Sequence, residues 1–224
     1  MVTPEEPANP WLSWSYVQDN APEILRYLGQ HTSLTVQAVL LALLVAVPLA
    51  ALAHLWPRLS GVVLGTTGVL YTIPSLALFA VVYPFLRDRR TTVLVGLVLY
   101  ALLLVVRNTL VGLRGVDPDV RDAARGLGYG RWRLLLTVEL PNALPSVITG
   151  VRLASVSTVA LLTVGVVIGY GGLGQLMFRG FASGYRAQIM TATILCLLLG
   201  LVLDLVLSIV GRLVTPWART RVSR

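Results

Sequence analysis

This 224-residue chain contains no lysine, a single cysteine and few charges of either sign; 12% of its residues are charged and only 10 are acidic. The lone Cys196 excludes an intrachain disulfide and a cysteine-cluster metal site, and within its apolar run it reads as a small apolar filler. The two histidines, His31 and His54, flank one apolar run with no cysteine or carboxylate spaced to join them. No metal site is expected from them, and both read as interfacial polar residues. No Gly-x-x-x-x-Gly-Lys-Ser/Thr run occurs, so the chain brings no P-loop ATPase of its own. All 18 basic residues are arginine, a compositional bias on which no mechanism is built.

What is present is apolar: 56% hydrophobic residues and a mean hydropathy of +0.78. A chain so short of polar surface is expected to be an all-α, polytopic membrane helix bundle. Five apolar runs stand out, at about 33–56, 61–86, 91–113, 145–169 and 188–211. Each is long enough to cross a hydrocarbon core of about 30 Å as a helix. With the N-terminus placed outside, 12 arginines fall on the cytoplasmic side and 6 on the outer side, and five spans return the C-terminus to the cytoplasm. Arg87, Arg89 and Arg90 dissent, offset in part by Asp88. Although the net charge is +8, the arginines lie between apolar spans, which favours membrane lipid over nucleic acid as the partner. Residues 1–30 lack a basic start and an early apolar run, so they are expected to be an outer or interfacial arm rather than a leader. Residues 31–216 form the membrane domain, with a polar loop at 114–145. Residues 217–224 form a basic tail facing anionic lipid.

The polar loop carries the chemistry. Asp117 reads as an N-cap and Pro118 as the first residue of a helix of about two turns. Arg121 and Asp122 follow, then Ala123 and Ala124, small enough to let a partner surface approach the backbone. Gly126, Gly128 and Gly130 are expected to break that helix. A second short helix is expected from Arg131 to Glu139, followed by Leu140, with Pro141 ending it and Pro145 marking entry into the fourth span. A short polar segment of this kind is a docking element for a groove on another protein.

Asp122-Ala123-Ala124, three residues, Gly128, nine residues, then Val138-Glu139-Leu140-Pro141 resembles the signature loop of binding-protein-dependent ABC importer permeases, with Asp for the usual Glu and Val for the usual Ile. The resemblance covers about 31–216 and implies the compact five-helix type I core. Tyr71-Thr72-Ile73-Pro74-Ser75-Leu76-Ala77-Leu78, Leu99-Tyr100-Ala101-Leu102, Arg107-Asn108-Thr109 and Gly171-Gly172-Leu173-Gly174 with Arg179-Gly180 look like the osmoprotectant permeases, which carry glycine betaine, choline, carnitine and related quaternary amines. Leu103–Val106 lacks a proline expected near that point, so the third span is expected to kink less. The resemblance implies cytoplasmic ATPase subunits that bind ATP and Mg, an extracytoplasmic solute-binding protein and a second permease subunit, alike or different. This chain itself holds no cofactor or catalytic residue on that reading.

Polar residues are costly against lipid, so Tyr71, Thr72, Pro74, Ser75, Asn108, Ser155 and Thr158 are the candidates for a translocation pathway, with helix packing as the alternative. Gly169, Gly171 and Gly174 match G-x-G-x-x-G, but an apolar span precedes them where a strand is required; a flexible turn at the outer end of the fourth span, a candidate for an external gate, is expected instead. Asp204 inside the fifth run is either a relay group or, the favoured reading, a structural partner across helices or near headgroups. Three competing functions remain: a permease for another small solute such as an amino acid, a lipid-modifying membrane enzyme, and a standalone channel. The enzyme lacks paired carboxylates, HExxH and Gly-x-Ser-x-Gly, and the channel leaves the loop motif without a purpose.

Overall fold

A computed structural model describes residues 9–217, so the expected tail lies outside the described residues beyond Trp217. The described residues form helices and turns alone. Helix α1 (Trp14–Asp19) is capped by the Ser13 hydroxyl, which accepts from the Tyr16 amide at 3.2 Å. Helix α2 (Ala21–Leu55) runs without a break across residue 30, so the arm and the first span share one helix of about 52 Å at 1.5 Å per residue. Its residues Ala38, Ala42, Ala46, Ala50 and Ala53 form a fully buried stripe of small side chains. Small residues let backbones close up where lipid offers no hydrophobic drive for helix association.

The second apolar run is not one straight helix. It divides into α3 (Pro57–Thr72) and α4 (Ser75–Leu86), bent by 99° at Ile73-Pro74. Pro74 has no amide hydrogen and disfavours helix at the residue before it, so the chain opens there. Helix α5 (Arg89–Arg114) shows how the pieces lie. The Arg114 guanidinium donates to the Ser60 hydroxyl, the Tyr100 hydroxyl donates to the Ile73 carbonyl, and the Phe79 ring abuts Gly96. From residue 60 to residue 79 the chain therefore walks α5 backwards, from position 114 to position 96. The bent pair crosses once as a broken span and does not return to the side it came from. Four unbroken helices are long and apolar enough to cross a membrane, and the bent pair counted as one span gives five.

Asp88 caps α5, accepting from the Thr91 amide at 2.7 Å; hydrogen bonds from the Thr91 side chain and amide hold its carboxyl below its usual range. Helix α5 continues unbroken through Leu103–Val106, as the absent proline predicts. It lies at the centre of the bundle, packed against α2, α3, α4 and α8.

After α6 (Pro118–Gly126), α7 (Arg131–Leu134) leads through a π turn at Leu135–Glu139 directly into α8 (Leu140–Val164). The helix end expected at Pro141 does not occur. The wider π turn just before Pro141 accommodates its ring, and the Asn142 side-chain amide donates to the Val138 carbonyl at 2.8 Å. A short 3-10 turn at Gly165–Ile168, then α9 (Leu173–Ser183) and α10 (Arg186–Val214) complete the chain. Helix α1 and the start of α2 are held against α9 and α10. Tyr16 meets Tyr185 edge to face at 5.2 Å, and Arg179 pairs with Glu23 at 2.9 Å.

Candidate functional site

Helix α6 begins as its sequence predicts: Asp117 accepts from the Asp119 amide at 2.9 Å, and Pro118 occupies the first turn. Its end is set by one glycine of the three. Gly126 is the last helical residue, and neither Gly126 nor Gly130 adopts a positive φ. Gly128 does, at +81°, with its amide on the Arg125 carbonyl at 2.9 Å and the Tyr129 amide reaching the Ala124 carbonyl at 3.1 Å. Those two bonds around a left-handed residue make a Schellman close, which is why the motif needs glycine at this position.

The two alanines part company. Ala124 is buried against the bundle, while Ala123 is exposed. Together with Val120 and the 77%-exposed Leu127, Ala123 makes an apolar stripe at three- and four-residue spacing on the outer face of α6. Asp119 and Asp122 border that stripe, Asp122 holding Arg125 at 2.9 Å. The inner face is fastened through Arg121. Its Nε lies 3.0 Å from Glu139 Oε1 as an ion pair without hydrogen-bond alignment, and its Nη2 donates to the Leu113 carbonyl at 2.6 Å. The other carboxylate oxygen of Glu139 meets His54 Nε2 at 3.1 Å. Glu139 is only 4% exposed.

One buried carboxylate thus joins α6, the end of the first span and the π turn. Leu140 adds apolar contact with the cluster of Leu55, Leu113, Leu135 and Ala143. In the sequence Glu139 stands as a motif position with no role attached, and His54 departs from the interfacial role expected of it. The visible signal was a lone carboxylate between Val138 and Leu140, but its partners lie 18 and 85 positions away in the chain.

The pathway candidates separate into two groups. Tyr71, Thr72 and Pro74 are exposed at the break in the second span and Ser75 is half-buried. Tyr71 meets Tyr100 edge to face at 5.8 Å, and the Tyr100 hydroxyl satisfies the carbonyl freed at Ile73. Ser155 and Thr158, expected on a pathway-facing surface, are instead 3% and 1% exposed. They share the face of α8 that carries Val151, Ala154, Val159 and Leu162 into the core, and the Ser155 hydroxyl donates to its own helix at Val151. Half-buried Asn108 likewise turns its amide back onto the Leu104 carbonyl at 2.8 Å.

The glycine-rich turn after α8 is held rather than flexible. His31 is wholly buried: its Nε2 donates to the Val159 carbonyl at 3.1 Å, and its Nδ1 accepts from the Leu173 amide at 3.2 Å. These partners fit one neutral tautomer. Gly172 sits against the imidazole at a φ of +53°, and a Cβ there would lie 2.8 Å from Nδ1. The interfacial role expected for His31 is replaced by a latch joining α2, α8 and α9. Asp204 finds its partner across helices, accepting two 2.8 Å bonds from Arg152 and tying α10 to α8. Among the described residues no cluster of His, Cys, Asp and Glu could hold a metal ion.

Residues 30–220 match the family described as binding-protein-dependent transport system inner membrane component. The chain is 35% identical over 204 residues to the carnitine transport permease protein OpuCB of Listeria monocytogenes, covering 91% of this chain and 94% of that one. It is 37% identical over 208 residues to the osmoprotectant import permease protein OsmW of Salmonella typhimurium, covering 90% and 96%. Its fold is similar to a chain of the inward-facing MetNI methionine ABC transporter, with a TM-score of 0.76 at 21% identity over 86% of this chain and 96% of that one.

Proposed function

This chain belongs to the binding-protein-dependent transport system inner membrane component family, and from that premise we propose how it works and what it carries. It is a multi-pass transport subunit rather than an enzyme. Its load is an osmoprotectant of the quaternary-amine class: glycine betaine, choline, carnitine or a close relative. Support for the solute class comes from relatives named for carnitine and osmoprotectant import that align over nine-tenths of the chain. The N-terminus lies outside and the α6 loop faces the cytoplasm, as the arginine asymmetry favours.

The observation that carries the mechanism is the outer face of α6. A nine-residue helix exposing Val120 and Ala123, with Leu127 at its C-cap, beside two carboxylates is built to enter a cleft on a partner. That partner is an ATPase subunit, which binds ATP and Mg. The Arg121–Glu139–His54 cluster makes α6 rigid with α2, α5 and α8, so movement of the docked helix is passed to the spans. An extracytoplasmic binding protein delivers the solute, and a second permease subunit completes the pathway. The exposed break at Tyr71–Ser75 is the segment offered to that pathway, since non-helical backbone is tolerated at membrane depth where it faces a cavity.

Co-purification of the intact complex, followed by ATP hydrolysis over a panel of solutes each loaded on the binding protein, tests this reading. Stimulation by quaternary amines and not by amino acids is expected. Stimulation by an amino acid alone would keep the importer and reject the solute class.

A further inference from the structure

The end of α2, the start of α3 and α7 enclose a groove of about 630 Å³ beside the α6 anchor, sharing only Leu55 with it. Leu52, Leu55, Trp56 and Leu59 line it, with Arg58 and Arg131 among them. We propose that this groove binds one anionic phospholipid at the membrane face that carries α6, with an acyl chain along the apolar wall and the phosphate between the two guanidiniums.

Three observations converge on a lipid. First, the two cations lack anions. Arg58 makes no hydrogen bond, ion pair or ring contact with any described residue, and Arg131 makes one contact, over the Trp56 ring at 5.4 Å. Of the acids on and around α6, Glu139 holds Arg121 and His54, Asp122 holds Arg125, Asp117 caps α6, and Asp119 forms no ion pair with Arg58 or Arg131. Second, the wall is apolar and open. Leu52, Trp56 and Leu59 are each about two-fifths exposed, at the end of an apolar span where an acyl chain reaches its headgroup. Third, Trp56 and Trp132 meet edge to face at 6.1 Å beside the groove, and both remain about half exposed. Tryptophan favours the headgroup level of a bilayer, which fixes the depth of the site. Basic pockets between spans on this pattern hold anionic headgroups.

The position has a consequence for coupling. Arg131 opens α7, and α7 runs through the π turn to Glu139, which anchors α6. A phosphate on Arg131 therefore braces the element next to the docking helix. The site rests on the membrane reading of the chain but needs neither solute nor ATPase, so its test and the transport test fail independently.

The full chain is placed in phosphatidylcholine nanodiscs doped with phosphatidylglycerol whose acyl chains are brominated, a tryptophan quencher, and compared with discs doped with brominated phosphatidylcholine. The signal read is the quenching that disappears in Trp56→Phe. In the native chain, the anionic lipid should quench at a mole fraction roughly thirtyfold lower than the zwitterionic one, about fivefold per guanidinium. Arg58→Gln with Arg131→Gln should abolish that preference. Arg58→Lys with Arg131→Lys should retain most of it, and Arg87→Gln with Arg90→Gln at the opposite face should retain all of it. Equal quenching by the two lipids in the native chain, or an unchanged preference in the Arg58→Gln, Arg131→Gln variant, overturns the proposal. Loss of ATPase binding in that variant, with no lipid preference in the native chain, would assign the pair to the protein partner instead.

Discussion

Glu139 carries a charge into a nearly closed site between three helices and is answered there by Arg121 and His54. Removing one member of a buried ion pair leaves the other charge unpaired, at a cost of about 3 kcal/mol. Glu139→Gln keeps the shape and removes the charge. It should leave the chain inserted, speed amide hydrogen exchange across 118–126, and reduce solute-stimulated ATP hydrolysis by the assembled complex. Unchanged exchange in that segment would mean that α6 is held by its apolar contacts alone. At this scale the sequence is a partial guide. The Asp117–Pro118 start and the need for glycine at position 128 are local, and both can be read from neighbouring letters. The roles of His31, His54 and Glu139 are not local, because each depends on partners brought near by helix packing. Composition could say only that these groups were few, whereas the structure makes fasteners between helices of a wholly buried His31 and a half-buried His54.

Among the elements, the long apolar helices were legible because a membrane span is a matter of length and hydropathy. Their ends and breaks were less so. Pro74 and Pro141 look alike in the sequence, yet one breaks its helix by 99° and the other lies in a continuous helix. The difference lies in what meets the freed backbone. At Ile73 a tyrosine from α5 takes the carbonyl, whereas before Pro141 the helix widens by a π turn and Asn142 bonds back to Val138. Ser155 and Thr158, read as pathway candidates with helix packing as the alternative, lie buried in this chain, and their case shows the same limit. Hydroxyls on a span serve a pathway or bond back to their own helix, and only the register of α8 against the core decides which. The Arg152–Asp204 pair joins α8 to α10 and gives a test at this scale. Asp204→Asn and Arg152→Gln should each lower the melting temperature more than Arg152→Met combined with Asp204→Leu, since each single change strands a polar partner among apolar spans. If the double variant were the least stable of the three, the pair would be a net source of stability rather than a constraint on how α10 seats.

The whole molecule is a bundle around α5 with one short helix projecting from it and one broken span crossing beside it. Its family was legible from the spacing of the α6 loop motif, which holds here with Asp at 122 and Val at 138. The candidate spans were legible as apolar runs, whereas the course of the bent pair along α5 shows only in its contacts. In the proposed mechanism α6 is where the ATPase drives the spans. Gly128 is the position to challenge: its φ of +81° suits glycine, its surroundings are open, and its place at the rim of the docking face would bring an added carboxylate against the partner. Gly126→Ala lies in ordinary helix and serves as the control. The measurement is ATP-driven glycine betaine uptake by vesicles holding the intact complex, with ATPase retention on the purified chain recorded alongside. Normal uptake is expected for the native chain and for Gly126→Ala, and loss of uptake with detached or uncoupled ATPase for Gly128→Asp in a chain that still inserts and folds. Full ATPase binding and full uptake in Gly128→Asp would contradict that mechanism, and would reduce the loop to a connector between two spans.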